Sequence, residues 1–151
     1  MRRAFIAALA ATVSLLGCGE KPSTMEDLTS TLVTFPNGTK IIAQSMREQI
    51  DMMRGMMFRD SLAADHGMLF FHGKTGKYTY WTYQNRIPLD FIWIDPAHKI
   101  VEMALDIPPC PSKVAHECPN YGGHEDASYV LEVNAGIAAK NGLKVGDRLD
   151  F

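Results

Sequence analysis

The stretch Leu89-Asp90-Phe91-Ile92-Trp93-Ile94-Asp95 is apolar at every position between its ends except Asp90. An uninterrupted apolar run of this length predicts a central strand covered on both faces. Asp90 then becomes the informative residue, because a buried carboxylate without a partner costs on the order of several kcal/mol. Arg54 and Arg59, which flank Gly55-Met56-Met57-Phe58, are the candidate partners. Two roles stay open for the pair. It is either a structural salt bridge fixing a helix against the sheet, or Asp90 and Arg59 line a pocket and read a polar ligand.

Outward from this run the chain repeats the same texture. Met68-Leu69-Phe70-Phe71, Lys77 to Tyr83, Lys99 to Leu105, Ser128 to Val133 and Arg148 to Phe151 read as strands, separated by the Gly, Pro, Asn and Asp that turns require. Leu32-Val33-Thr34-Phe35 and Lys40-Ile41-Ile42-Ala43-Gln44 flank Asn37-Gly38, a strong hairpin signal. Ser45 with Glu48 forms a capping box for a helix carrying Met46, Ile50, Met53 and Met57 at helical spacing, which Gly55 weakens or ends. Ala135 to Asn141, followed by Gly142, predicts a second short helix. Many short strands with one or two short helices predict a mainly β, sandwich- or barrel-like single domain over residues 31–151. Tyr78, Tyr80, Trp81 and Tyr83 form an aromatic stripe, with Tyr78 and Tyr80 on one strand face and Trp81 and Tyr83 on the other.

The N-terminus gives an address. Met1-Arg2-Arg3, an apolar segment from Ala4 to Leu16, and a small residue before a cysteine have the form of a secretory signal. Leu15-Leu16-Gly17-Cys18 resembles the bacterial lipobox, which implies cleavage before Cys18 and lipid attachment to it. The expected organisation is a signal peptide over 1–17, a lipidated cysteine and polar tether over 18–30, and the β domain from 31. The protein is then anchored in the cell envelope, at the periplasmic face of the outer membrane in a Gram-negative host, since Gly19 rather than aspartate follows the cysteine. Removal of residues 1–17 leaves 134 of 151 residues and, without Arg2 and Arg3, a formal charge of −4 rather than −2. That mild acidity, with no basic block, argues against a nucleic-acid partner. In an oxidising compartment Cys110 and Cys118 are expected to form a structural disulfide.

Several ordered motifs carry a resemblance. Arg54-Gly55-Met56-Met57-Phe58-Arg59, Gly67-Met68-Leu69-Phe70, Trp81 through Ile87-Pro88-Leu89-Asp90, Tyr129 to Gly136 and Gly146-Asp147 resemble the family called domain of unknown function 192. The resemblance covers about Ile41 to Phe151. It implies a compact, mostly β domain, often exported, with no established reaction. After the tryptophan the family usually reads Met-Lys-Asn-Thr, where this chain has Thr82-Tyr83-Gln84-Asn85-Arg86. Charge at this point is therefore lost or moved to Arg86. Arg59, Trp81, Gln84, Arg86 and Asp90 are the candidate ligand-binding residues.

Other chemistry is thinly represented. His116-Glu117-Cys118 and His124-Glu125-Asp126 bring possible metal donors into one region, but their spacing matches no defined site, so no metal or other cofactor is assigned. There is no Gly-X-Ser-X-Gly elbow, phosphate loop or His-Glu-X-X-His. Asp90, Asp95, Glu102 and Asp106 offer carboxylates in principle for glycoside hydrolysis. The expectation is a non-catalytic envelope lipoprotein binding a small molecule, glycan or envelope protein. A carboxylate-dependent hydrolase of envelope polysaccharide and a periplasmic metal-handling lipoprotein are the alternatives.

Overall fold

The computed structural model describes residues 29–151. The signal segment, Cys18 and the tether up to residue 28 lie outside the described residues. Six strands form one mixed sheet: β1 (Ser30–Thr34), β2 (Lys40–Met46), β3 (His66–Gly76), β4 (Leu89–Ile94), β5 (Ile100–Ile107) and β6 (Ala127–Asn134). Their spatial order is β1-β2-β3-β6-β4-β5, antiparallel throughout except for the parallel β2–β3 pair. Two short helices, α1 (Gln49–Arg54) and α2 (Ile137–Lys140), complete the mainly β domain that the sequence predicts. Among the described residues no helix is long and apolar enough to cross a membrane.

All six residues of β4 are buried, as its apolar run requires. Alternation sends Ile92 and Ile94 into a core with Leu69, Leu131, Val133 and Ala138 beneath α2. It sends Leu89, Phe91 and Trp93 into a second core with Met56, Met68, Phe70 and Val130 on the opposite face. The Asn37-Gly38 turn joins β1 and β2 as expected, closed by Phe35 N–H donating to Thr39 O at 2.8 Å.

Three local expectations are corrected. Ser45 does not cap a helix: β2 runs on to Met46, and the Ser45 hydroxyl meets Thr31 Oγ1 at 2.7 Å. Helix α1 starts after Glu48 without a side-chain cap. Lys77 to Tyr83 makes only the single bridge Tyr80–Tyr121: the Tyr80 ring packs on the core, while Trp81 is exposed and the backbone finds no longer ladder. Arg148 to Phe151 likewise contributes only the bridges Lys99–Arg148 and Thr34–Asp150.

The expected pairing of Asp90 with Arg59 or Arg54 is also absent. Asp90 is fully buried, but Oδ1 accepts the Asp106 N–H and Oδ2 the Ala138 N–H, both at 2.9 Å. The reason is the strand period. Asp90 shares the α2 face with Ile92 and Ile94, whereas Arg59 donates to Gln44 Oε1 at 2.7 Å on the other face. Cys110 and Cys118 are joined, with Cα atoms 5.6 Å apart. Their loop is held by Cys110 N–H to Thr82 O and by Thr82 Oγ1 to Pro108 O, so it backs the aromatic segment.

The two amides held by Asp90 connect β4 to the end of β5 and to α2. Asp90→Ala, which strands both, is expected to lower stability by about 2–4 kcal/mol, measured by urea unfolding. A loss no larger than that of an ordinary surface substitution would contradict this account.

Candidate functional site

The face opposite α2 carries a cleft of about 670 Å³. One wall is α1 and the residues after it, lined by Ile50, Met52, Met53 and Met56. The other is the segment Tyr78 to Tyr83. His72 of β3 and Glu132 of β6 line it from the sheet. The volume and the mostly apolar walls fall within the range seen for ligand pockets in general.

The methionine wall differs from the stripe predicted. Ile50 and Met53 are 69% and 63% exposed, while Met46 and Met56 are buried and Met52 is half-buried. The helix is only six residues long and stops at Gly55, whose φ of 45° resets the phase before Met56. A Cβ at Gly55 would lie 3.3 Å from the Phe70 ring and 3.9 Å from Glu132 Oε2, so the absence of a side chain lets this turn approach the floor. Phe58 N–H then donates to Gln84 O at 2.9 Å, joining the two walls at one end.

Glu132 is the central group. It pairs in register with Met68 on one side and Phe91 on the other, in the heart of the sheet. The residue is 3% exposed, and Oε2 has no hydrogen-bond partner among the described residues. Burial pushes its carboxyl up to about 8, partly countered by the Arg59 guanidinium. Tyr80 is half-buried, and its phenol rises above the ordinary range through burial, then the charges of Glu132 and Tyr78. Its hydroxyl meets His72 Nε2 at 3.0 Å, and the His72 ring stacks on Tyr78 with centroids 3.5 Å apart. Burial pushes the His72 imidazole down to about 4. Near neutral pH these three groups are therefore a carboxylic acid, a neutral imidazole and a phenol.

Of the predicted ligand residues, Trp81 lines the cleft, 39% exposed, with the Tyr83 ring 5.5 Å away. Arg59 acts on Glu132 rather than on Asp90. Gln84 is an exposed turn residue whose contribution is its backbone carbonyl, and Arg86 forms an exposed ion pair with Asp60 at 2.6 Å. Asp90 lies on the other face. Glu132 and His72 were missed, although Glu132 carries the same signal as Asp90, a lone carboxyl inside an apolar run.

The other carboxylates are dispersed. Asp95 accepts the Ala97 and Lys99 amides of a turn, and Glu102 pairs with the His124 ring. Asp106 is exposed on β5, and neither it nor Asp90, Asp95 or Glu102 lines the cleft. His116 is exposed on the 3₁₀ turn Ala115–Glu117, and Cys118 is in the disulfide. Among the described residues no three His, Cys, Asp or Glu side chains are grouped to hold a metal ion.

Comparison with known proteins gives a family without a reaction. The family model DUF192, "Uncharacterized ACR", matches residues 32–151. No curated protein matches the chain. A solved structure from Sinorhizobium meliloti 1021, provisionally named a transcription regulator, is 28% identical, with a TM-score of 0.69 over 79% of this chain and 89% of that one. A protein of unknown function from Novosphingobium aromaticivorans DSM 12444 is 27% identical, with a TM-score of 0.68 over 81% of this chain and 84% of that one.

The buried acid has a signature in stability. Its folded value of about 8 exceeds the ordinary 4.5, so its contribution is complete below about 4.5 and is lost as pH rises through about 8. His72, held near 4 against an ordinary 6.5, acts in the opposite sense, adding stability as pH rises between those values. Above 6.5 the Glu132 effect stands alone. Between pH 6.5 and 8 the protein is expected to lose on the order of 1–2 kcal/mol, read from urea unfolding, and Glu132→Gln should flatten that decline. An equal slope in the variant would assign the effect elsewhere.

Proposed function

The chain belongs to the uncharacterized DUF192 family, and from that premise we propose that it is a lipid-anchored envelope protein whose β domain binds a small, largely apolar molecule without transforming it. The observation that carries the reading is the cleft of about 670 Å³ with a buried, unpartnered carboxyl in its lining. Methionines on one wall adapt to irregular shapes, and aromatic rings on the other offer flat apolar surface. A glycan would need a denser set of polar partners than these walls supply. An envelope protein remains a partner for the outer rim, where Ile50 and Met53 are exposed. The regulator name belongs to the Sinorhizobium protein. The mild negative charge of this chain, −2 overall, favours no nucleic-acid partner.

The envelope address rests on Leu15-Leu16-Gly17-Cys18 and its resemblance to a lipobox. Two or three acyl chains on Cys18 would hold the protein stably, where one chain holds only marginally. Cys18→Ser is expected to abolish incorporation of radiolabelled palmitate and move the protein out of the detergent phase. Persistence of the label in that variant would remove the anchor.

Ligand binding is tested by native mass spectrometry of the mature chain extracted from envelopes without denaturation. An apolar adduct is expected, reduced at least several-fold by Met52→Trp, which fills the cleft from a half-buried wall position. A bare mass with no adduct, in wild type and variant alike, would contradict the binding reading.

A further inference from the structure

The lining of the cleft restricts what it can take. Glu132 projects from the central strand β6 with its register partners Met68 and Phe91 on either side, and Gly55 leaves open a position where a Cβ would lie 3.3 Å from the Phe70 ring and 3.9 Å from Oε2. That oxygen is buried and has no hydrogen-bond partner among the described residues. Such a group is costly unless something meets it.

The charged and titratable groups around it decide what that something is. Arg59, after α1, lies close enough to act on Glu132 while its own guanidinium is bonded to Gln44. Arg54 of α1 is exposed at the edge of the cleft. From β3 comes His72, bonded to the Tyr80 hydroxyl, and from the aromatic wall come Tyr80 and Tyr78. A cationic ligand would meet Arg54 in the lining and feel the charge of Arg59 beside Glu132. An anionic one would bring its charge into an apolar recess beside a carboxyl group. We propose that the ligand is an uncharged apolar molecule carrying one hydrogen-bond acceptor, a carbonyl oxygen or its equivalent, which accepts the proton of the Glu132 carboxylic acid.

The inference rests on the reading of the cleft as a binding site and specifies its chemistry. A protonated carboxyl is a donor as well as an acceptor, so a single carbonyl satisfies it without a counter-charge. Burial, which holds that proton to about 8, is consistent with this arrangement. The rest of the molecule lies between the methionines and the rings of Trp81 and Tyr83, and a flat or acyl body suits both.

The test uses three probes of one shape on the purified mature chain: acetylnaphthalene, ethylnaphthalene and naphthylethylamine. Calorimetry slightly below neutral pH is expected to show the ketone binding about 3- to 10-fold tighter than the hydrocarbon, the worth of one neutral hydrogen bond. The preference should survive Glu132→Gln, whose amide still donates, disappear in Glu132→Leu, and fade as pH passes about 8 in the wild type alone. The amine binding tightest, with a preference that grows with pH, would make Glu132 a counter-ion and overturn the proposal. Equal binding of ketone and hydrocarbon would overturn it while leaving the cleft a binding site. Failure of all three probes to bind would overturn the binding reading itself.

Discussion

The fold depends on two adjacent strands, β4 and β6, that are covered on both faces. A strand in that position gives up water on every side chain, so each polar residue it carries must be met by another group or bear the cost. Three such residues are resolved in three ways. Asp90 is met by two backbone amides, and Ser128 by the Thr75 hydroxyl at 2.8 Å. Glu132 Oε2 has no hydrogen-bond partner among the described residues, with only the charge of Arg59 acting on the group. The first two read as structure. The third is a cost that persists inside an otherwise satisfied core, which is where function is most plainly sought.

The cleft above Glu132 follows from the topology. Because β2 and β3 are parallel neighbours, the chain must cross the sheet between Met46 and His66, and α1 is the middle of that crossing. The opposite wall is fixed from behind. Trp93 Nε1 donates to Tyr78 O at 2.7 Å, and the disulfide loop is bonded to Thr82. Gly122, with φ of 67°, lets that side close on the Trp93 ring, since a Cβ there would fall 2.1 Å from it. One wall is thus a short helix without a buried residue, and the other is braced against the core.

Much of this is legible in the sequence because its signals are local. The apolar run Leu89 to Ile94, the Asn37-Gly38 turn and the pairing of Cys110 with Cys118 each depend on neighbours along the chain. Asp90 is legible as a buried carboxyl, but its partners are not. Backbone amides of Asp106 and Ala138 carry no side-chain signature, whereas arginines do. Which face a strand residue takes was also hidden, because the phase of a two-residue period is fixed only by what packs on either side. That phase separates Asp90 from Arg59 and puts Glu132 within Arg59's reach. The aromatic segment shows the opposite error. Tyr78 to Tyr83 has the composition of a strand, yet its bonding is to core rings and to the disulfide loop.

The position of β1 has a mechanical consequence. It is the edge strand of the sheet and follows directly on the part of the chain that would lead to a lipid. Traction arriving through the N-terminus would load the Ser30–Gln44 pair first and the Thr34–Lys40 pair last. Pairs in that geometry part in succession, as a zipper does, rather than shearing together. The parallel seam between β2 and β3 stands behind β1, so a tug on the tether would be spent on peeling an edge before it reached the strands that carry Glu132.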